Sequence, residues 1–378
     1  MNDIYIPETP QQLEPQWLSD VLSLGGVRVT STQQQVLGDG EGFVGDILQL
    51  KLQFDAQTDA PQSVIAKLPK LENRAMGELI GAYERENMFY MTMANGLPVN
   101  APEMYYGEFD RDAASEKQEE ILRSADKLPS FLHGVMNKLA WWIAARKNRR
   151  YILLLEDISD AQPFDQLAGA SREDYAAILR AVAKLHAHYW GSDDLSNHFW
   201  LLPMDIDINM RYQMMLRARA NYEKLFADVT QQGMGTYLDE LQEQGLSIAR
   251  GLCTGPITLL HGDLRLDNLF SRDGEVVFID WQLVRRGPPA YDVAYLLSCG
   301  LHDQESADPL LAVYHQALVD AGVADYSFEE LLADYRLALK SVLMNLSTVD
   351  QVDLGSGRGV VLLEAWMQRL LWRLQTDT

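Results

Sequence analysis

Apolar residues recur at two spacings along this chain, and the two divide it into regions. Up to about position 110, alternation with a period of two predicts strands at Val27 to Thr30, Gln33 to Leu37, Ile47 to Leu52, Ser63 to Leu68 and Met104 to Tyr106. Helical spacing interrupts them twice. Thr9-Pro10 opens a helix whose apolar positions are Trp17, Leu18, Val21 and Leu22, and a second helix runs from Met76 to Met93. Glu116 to Arg123 and Pro129 to Arg149 also read as helical, the latter with Leu132, Val135, Met136, Leu139, Trp142 and Ile143 on one face. Tyr151 to Leu155 is a continuous apolar run, the pattern of a buried strand.

Beyond it the helical period dominates. Ser171-Arg172-Glu173-Asp174 opens a long helix to Trp190, as a capping-box-like start with its acid displaced by one place. Helices continue over Asp205 to Arg250, Phe328 to Leu346 and Gly359 to Leu374. One hairpin stands among them: Leu269 with Phe270, and Val276 to Ile279, flank a tight turn at Asp273-Gly274.

A 378-residue chain with 47% hydrophobic residues can build two ordinary domains or one large bilobal enzyme. Its 54 acidic against 32 basic residues give a formal charge of -22. That balance argues against nucleic acid or an anionic membrane as partner and fits a well-solvated acidic surface. Cys253 and Cys299 are far apart and have no metal-ligand companions at recognisable spacing, so both are expected to be free thiols. The N-terminal residues lack a basic region followed by an apolar run, and no stretch reaches the length of a membrane span. Membrane insertion is therefore not expected, and the expected location is cytoplasmic. Nothing in the sequence sets the oligomeric state.

Candidate chemistry gathers around the hairpin. Asp263 and Asn268 lie on the loop entering it, five positions apart, and Asp280 follows its second strand. A carboxylate that accepts an attacking hydroxyl's proton, a neutral carbonyl oxygen and a second carboxylate form the set that phosphoryl transfer with Mg²⁺ requires. Any one of these aspartates alone is an ordinary turn residue; the ordered set is what points to chemistry. Earlier in the chain, the glycine-rich run from Gly38 to Asp46 joins two strands. It reads either as a flexible hairpin tip or as a backbone able to fold closely over phosphates. Lys67 interrupts an apolar strand, where a cation is costly to bury unless an anionic partner is near, and Glu84 and Glu86 follow on the next helix.

The run His261-Gly262-Asp263-Leu264-Arg265-Leu266-Asp267-Asn268, with Ile279-Asp280-Trp281-Gln282, resembles the catalytic region of the aminoglycoside phosphotransferase and choline kinase superfamily. The Asp280-Trp281-Gln282 ending, together with Leu185-His186-Ala187-His188-Tyr189-Trp190 upstream, is most similar to the ecdysteroid-kinase-like branch and related bacterial phosphotransferases. The resemblance spans about Val36 to Ser298. It implies an α+β, bilobal, protein-kinase-like fold. The N-lobe, residues 1–157, would hold a small antiparallel sheet, the nucleotide-binding loop, the lysine strand and a helical insertion near 110–150. The larger, mainly helical C-lobe, 158–378, would hold the catalytic loop and the acceptor site.

The resemblance also implies ATP and Mg²⁺ as cofactors and assigns roles. Gly40, Gly42 and Phe43 would form the tip over the phosphates. Lys67 would contact phosphates and pair with Glu86, with Glu84 as the second candidate. Backbone groups near Glu156 and Ile158 would read the adenine edge, Asn268 and Asp280 would bind metal, and Asp263 would be the catalytic base. Asp292 would hydrogen-bond the catalytic-loop backbone, with His261 and Arg265 shaping the loop, or Arg265 instead meeting a phosphate. His186 and His188 are expected as packed structural residues, and the basic cluster Arg146 to Arg150 as a solvated helix end. Departures from the family pattern are the acidic Glu41 and Asp46 near the nucleotide loop and the insertion itself.

The expected activity is transfer of the ATP γ-phosphoryl group to the hydroxyl of a small, largely apolar acceptor, with Met210, Met214, Met215 and Trp366 available to wall its cleft. An aminoglycoside or other antibiotic kinase is the alternative, and a non-catalytic nucleotide-binding scaffold a further one. A protein kinase is disfavoured because the link from Asp280 to Asp292 is short and lacks an Ala-Pro-Glu signature.

Overall fold

Five antiparallel strands form the first sheet in the order β1-β2-β3-β5-β4: β1 Val29–Leu37, β2 Gly45–Phe54, β3 Ser63–Pro69, β4 Met104–Phe109 and β5 Tyr151–Glu156. The structure is a computed structural model that describes residues 4–22, 24–37, 45–302, 305–348 and 357–377. Its chain divides into two compact units. One comprises Met1–Leu97, Ala101–Ser115 and Asn137–Asp160, and the other Pro98–Asn100, Glu116–Met136 and Ala161–Thr378.

In the first unit, the period-two alternation of β2 turns Leu48, Leu50 and Leu52 to one face. There they join Val64, Ala66 and Leu68 of β3, Ile152 and Leu154 of β5, and Trp17 and Leu18 of the N-terminal helix in one apolar cluster. Two predicted helices differ in detail. The N-terminal one is a 3₁₀ turn, Pro10–Gln12, and then a helix Pro15–Val21, because Pro15 has no N–H to continue a ladder and is suited to a first helical position. The Met76 to Met93 segment is two helices, Arg74–Ile80 and Ala82–Thr92, separated by Gly81 at φ 68°, a left-handed conformation that ends the first helix.

The insertion forms helices Gln118–Asp126 and Ser130–Ala144. On the second, Phe131, Val135, Leu139, Trp142 and Ile143 are exposed. The basic cluster after it is a solvated helix end only in part: Arg146 is exposed, whereas Lys147, Arg149 and Arg150 have carboxylate partners. Arg149 is bound by Glu78 at 2.7 Å and by Glu84 at 2.5 Å, Arg150 by Asp110 and Lys147 by Asp112. Periodicity located the charges but could not show the carboxylates that tertiary packing brings to them.

The second unit is mainly helical, with Arg172–His188, Ile208–Leu225, Gly235–Leu252, Ala290–Gly300, Asp308–Asp320, Phe328–Leu346 and Gly357–Thr376 as its long helices. Ser171 caps the first of these in a complete capping box: its Oγ accepts the Asp174 N–H, and Asp174 Oδ2 accepts the Ser171 N–H. Because Ser171 itself is the N-cap, Asp174 is the third helical residue and the acid is not displaced. Three short strands, β6 Gln162–Pro163, β8 Leu269–Arg272 and β9 Glu275–Phe278, form one sheet, and β7 Thr258–Leu260 pairs with β10 Arg285–Gly287. The β8–β9 turn places Asp273 at φ 55° and Gly274 at φ 82°, the two positive values that a two-residue hairpin matching strand twist requires. Among the described residues no helix is long and apolar enough to cross a membrane.

Candidate active site

Strand β7 delivers the chain to His261, and from there backbone hydrogen bonds shape the loop. Asp292, in the first turn of the Ala290–Gly300 helix and fully buried, accepts the His261 N–H at 2.6 Å and the Gly262 N–H at 3.0 Å. Gly262 sits at φ 82°, and a Cβ there would collide with the Leu283 carbonyl, so the tight approach of the two segments requires glycine. The His261 ring bridges them. Its Nε2–H donates to the Ile279 carbonyl at 2.9 Å and its Nδ1 accepts the Asp263 N–H at 3.3 Å, which sets the tautomer.

Asp263 therefore emerges from a loop held on both sides. Asn268 donates Nδ2 to the Asp263 carbonyl at 2.9 Å and to its Oδ2 at 3.0 Å. Arg265 Nε lies 3.5 Å from Oδ2, and the Tyr295 hydroxyl donates to Oδ1 at 2.8 Å. Burial alone would lower the Arg265 guanidinium, but the neighbouring charges, Asp263 first and then Asp267 and Asp280, hold it above its ordinary value as a cation. Burial and then the Asp263 charge push the Tyr295 phenol well up, so it stays protonated and a donor.

The second carboxylate is brought to the same place by backbone pairing. The Ile279 N–H donates to the Asn268 carbonyl at 3.0 Å, so Asp280 begins one residue from a direct link to Asn268. Asp280 has φ 63° and ψ 60°, a left-handed conformation uncommon outside glycine and one that clusters at functional sites. Gln282 Nε2 donates to its Oδ2 at 3.1 Å, and the next residue, Trp281, is buried against His261 and Phe278.

This donor set fits a hard divalent cation. Asn268 commits its amide N–H groups to Asp263, leaving Oδ1 as its acceptor end, and Asp280 adds an anionic oxygen. Among the described residues no group of three or more His, Cys, Asp or Glu could hold a metal alone. Two oxygen donors are what Mg²⁺ takes from a protein when phosphates and water complete its shell.

In the first unit, Lys67 lies on β3 opposite Ile47 of β2 and Leu153 of β5, and its Nζ is 2.5 Å from Glu86 Oε1. Glu84 is instead taken by Arg149 and by the Ser115 hydroxyl, which separates the two glutamates that sequence left as alternatives. Glu156 closes β5, its N–H donating to the Glu103 carbonyl at 2.8 Å, and Ile158 follows it buried. Gly40, Gly42 and Phe43 lie outside the described residues.

Four supporting residues were not singled out as such from sequence. His186, expected as mere packing, points Nδ1 at the Tyr314 hydroxyl at 2.7 Å and Nε2 toward Asp292 Oδ2 at 3.5 Å, so it backs the aspartate that holds the loop. Gln166 accepts the Leu266 N–H and donates to the Cys299 carbonyl. Arg369 fastens the Gln166, Leu167 and Cys299 carbonyls. Tyr295 stands three positions after Asp292 on one helix, and that same-face spacing was the available signal. For Gln166 and Arg369 no local signal exists.

The ecdysteroid kinase-like family model matches residues 39–324, and the chain belongs to that family of kinase-like phosphotransferases. Its fold is similar to that of choline kinase from Cryptosporidium parvum, at 9% identity and a TM-score of 0.50, over 95% of this chain and 92% of the other. The macrolide 2′-phosphotransferase of Brachybacterium faecium is 14% identical over 93% of this chain and 97% of its own, with a TM-score of 0.48. Ethanolamine kinase of Plasmodium vivax is 12% identical over 90% and 80%, with a TM-score of 0.47. No curated protein matches in sequence. The fold is thus the α+β, bilobal, protein-kinase-like one.

Proposed function

We propose that this chain transfers the γ-phosphoryl group of ATP to a hydroxyl of a small, mainly apolar molecule. The observation that carries the reading is Asn268, whose amide holds both the backbone and the carboxylate of Asp263 while its backbone carbonyl accepts the N–H of Ile279, the residue before Asp280. One residue thereby couples a base to a metal-binding pair. Asp263 accepts the acceptor's hydroxyl proton and orients its oxygen for attack. Lys67, fixed by Glu86, steadies the nucleotide phosphates, and the backbone near Glu156 and Ile158 meets the adenine. Gly40, Gly42 and Phe43 are assigned to the phosphate-covering loop by sequence. Asn268 and Asp280 would hold Mg²⁺, which when bound offsets phosphate charge.

An apolar acceptor is supported by what stands beside the base. Trp366 packs edge-on against Tyr295 with ring centroids 4.9 Å apart, and Tyr295 touches Asp263. A polycation would need several placed carboxylates, whereas the Arg265 cation lies beside this one. An ADP-release assay with Mg²⁺ and ATP over steroid alcohols, hydroxyacyl thioesters and aminoglycosides, at two salt concentrations, tests the reading. Turnover of apolar alcohols with little salt dependence is expected. Salt-sensitive turnover of aminoglycosides alone would overturn the acceptor class, and ATP binding without turnover on any alcohol would favour a scaffold.

A further inference from the structure

The two oxygens of Asp263 are held differently. Oδ2 faces Asn268 Nδ2 at 3.0 Å and Arg265 Nε at 3.5 Å, whereas Oδ1 accepts from the Tyr295 hydroxyl at 2.8 Å. Tyr295 is partly exposed, and its ring is braced by Trp366, whose Nε1 donates to Ser298 Oγ at 3.3 Å. Two helices of the same unit therefore fix the phenol while its hydroxyl touches the carboxylate.

We propose that Tyr295 is a positioning residue for phosphoryl transfer: its hydroxyl holds Asp263 Oδ1 toward the acceptor and keeps the carboxylate from closing on Arg265. The inference rests on Asp263 being the base. A carboxylate turns easily about its terminal torsion, so the donors around it decide where its oxygens lie. Arg265 Nε at 3.5 Å is farther away than the roughly 2.7–2.9 Å of a charge-assisted bond, which leaves attraction still to be gained by rotation. The Tyr295 and Asn268 bonds oppose that rotation from opposite edges.

Each carboxylate oxygen can accept more than one hydrogen bond, so Oδ1 can take an acceptor O–H while Tyr295 holds it. In the step itself the acceptor oxygen bonds to the γ-phosphorus, the bond from that phosphorus to the ADP oxygen breaks, and the acceptor's proton passes to Asp263. Tyr295 gives up no proton.

Tyr295→Phe keeps the ring against Trp366 and removes only the hydroxyl. With Mg²⁺, ATP and a hydroxylated steroid as probe, kcat should fall about 10- to 100-fold, the range for one hydrogen bond to a charged group, with ATP affinity and the steroid KM within about twofold. A crystal structure of the variant should show the Asp263 carboxylate turned toward Arg265. In an Asp263→Asn background the same substitution should cost nothing further, because residues acting as a unit are not additive. An unmoved carboxylate, an unchanged kcat, or losses that multiply in the double variant would overturn the proposal. Turnover of Asp263→Asn at the parent rate would instead remove the base assignment, so the two failures are distinguishable. If the Phe variant does not fold, Tyr295→His, with a ring N–H donor, carries the comparison: retained kcat supports the proposal, and lost kcat with intact ATP affinity overturns it.

Discussion

The Asp292 carboxylate lies 2.6 Å from the backbone nitrogen of His261, thirty-one positions earlier in the chain. Both residues are fully buried, so no water can replace that bond or its companion to Gly262. Asp292→Ala leaves two buried N–H donors unpaired, each at about 1–3 kcal/mol. Urea unfolding should show a loss of that order, and ADP release should fall with it. A variant with unchanged unfolding midpoint and full activity would contradict this role.

Gly262→Ala tests the same loop sterically. The added Cβ meets the Leu283 carbonyl at a backbone conformation that L-residues rarely adopt, so the loop must move away from Leu283. Soluble protein with activity reduced by more than tenfold is expected, and parental activity would show that the loop tolerates a shift.

Asp263→Asn should keep ATP binding nearly intact and lower turnover by about 10²- to 10⁴-fold, the contribution of a positioned base. Isothermal titration with ATP and the ADP-release rate, measured on one preparation, separate the two quantities. Turnover within a few-fold of the parent would remove Asp263 from the chemistry.

Asp280→Ala should weaken Mg²⁺-dependent ATP binding more than Asn268→Ala, because a carboxylate meets a hard cation with full charge and an amide with a dipole. The Asn268 variant should in addition slow turnover at saturating Mg²⁺, since it also frees Asp263. Superimposable Mg²⁺ titrations for the two variants would refute the ranking.

Acid stability should depend on the pairs that bind the insertion ends. The side-chain hydrogen bond from Arg150 holds Asp110 below the ordinary 3.8, and that from Lys147 does the same for Asp112. A carboxylate with a depressed folded-state pKa stabilises above its unfolded value and loses that contribution as pH falls through the folded one. The melting temperature should therefore drop as pH goes below about 4, and Asp110→Asn with Asp112→Asn should flatten that part of the profile. Both pairs are partly solvated, so the effect should be modest and should shrink in high salt. An identical acid profile for parent and double variant would remove them as the cause.

Sequence alone settled what depends on near neighbours. Alternation in β2 and β3 specified which residues face the apolar cluster, because strand side chains alternate whatever else the chain does. Asp273-Gly274 specified the hairpin through backbone preference, and the span from Asp263 to Asp280 was readable because one loop and one hairpin carry the whole set. Pro15 and Gly81 also act locally, yet the periodic apolar spacing around them hid both helix breaks.

Tertiary structure decided every pairing whose members are distant in sequence. Lys67 meets Glu86 while Glu84 is taken by Arg149, a choice that rests on which face of one helix turns toward β3 and which toward the insertion end. Arg149 reads as a solvent cation until Glu78 is placed beside it, and His186 reads as packing until Asp292 and Tyr314 flank it. Gln166 and Arg369 carry no local mark of their work, and Tyr295 carries only its three-place spacing from Asp292. Their partners lie tens to hundreds of positions away, and hydrogen bonds acting over about 3 Å come into being only once the packed core has fixed both ends.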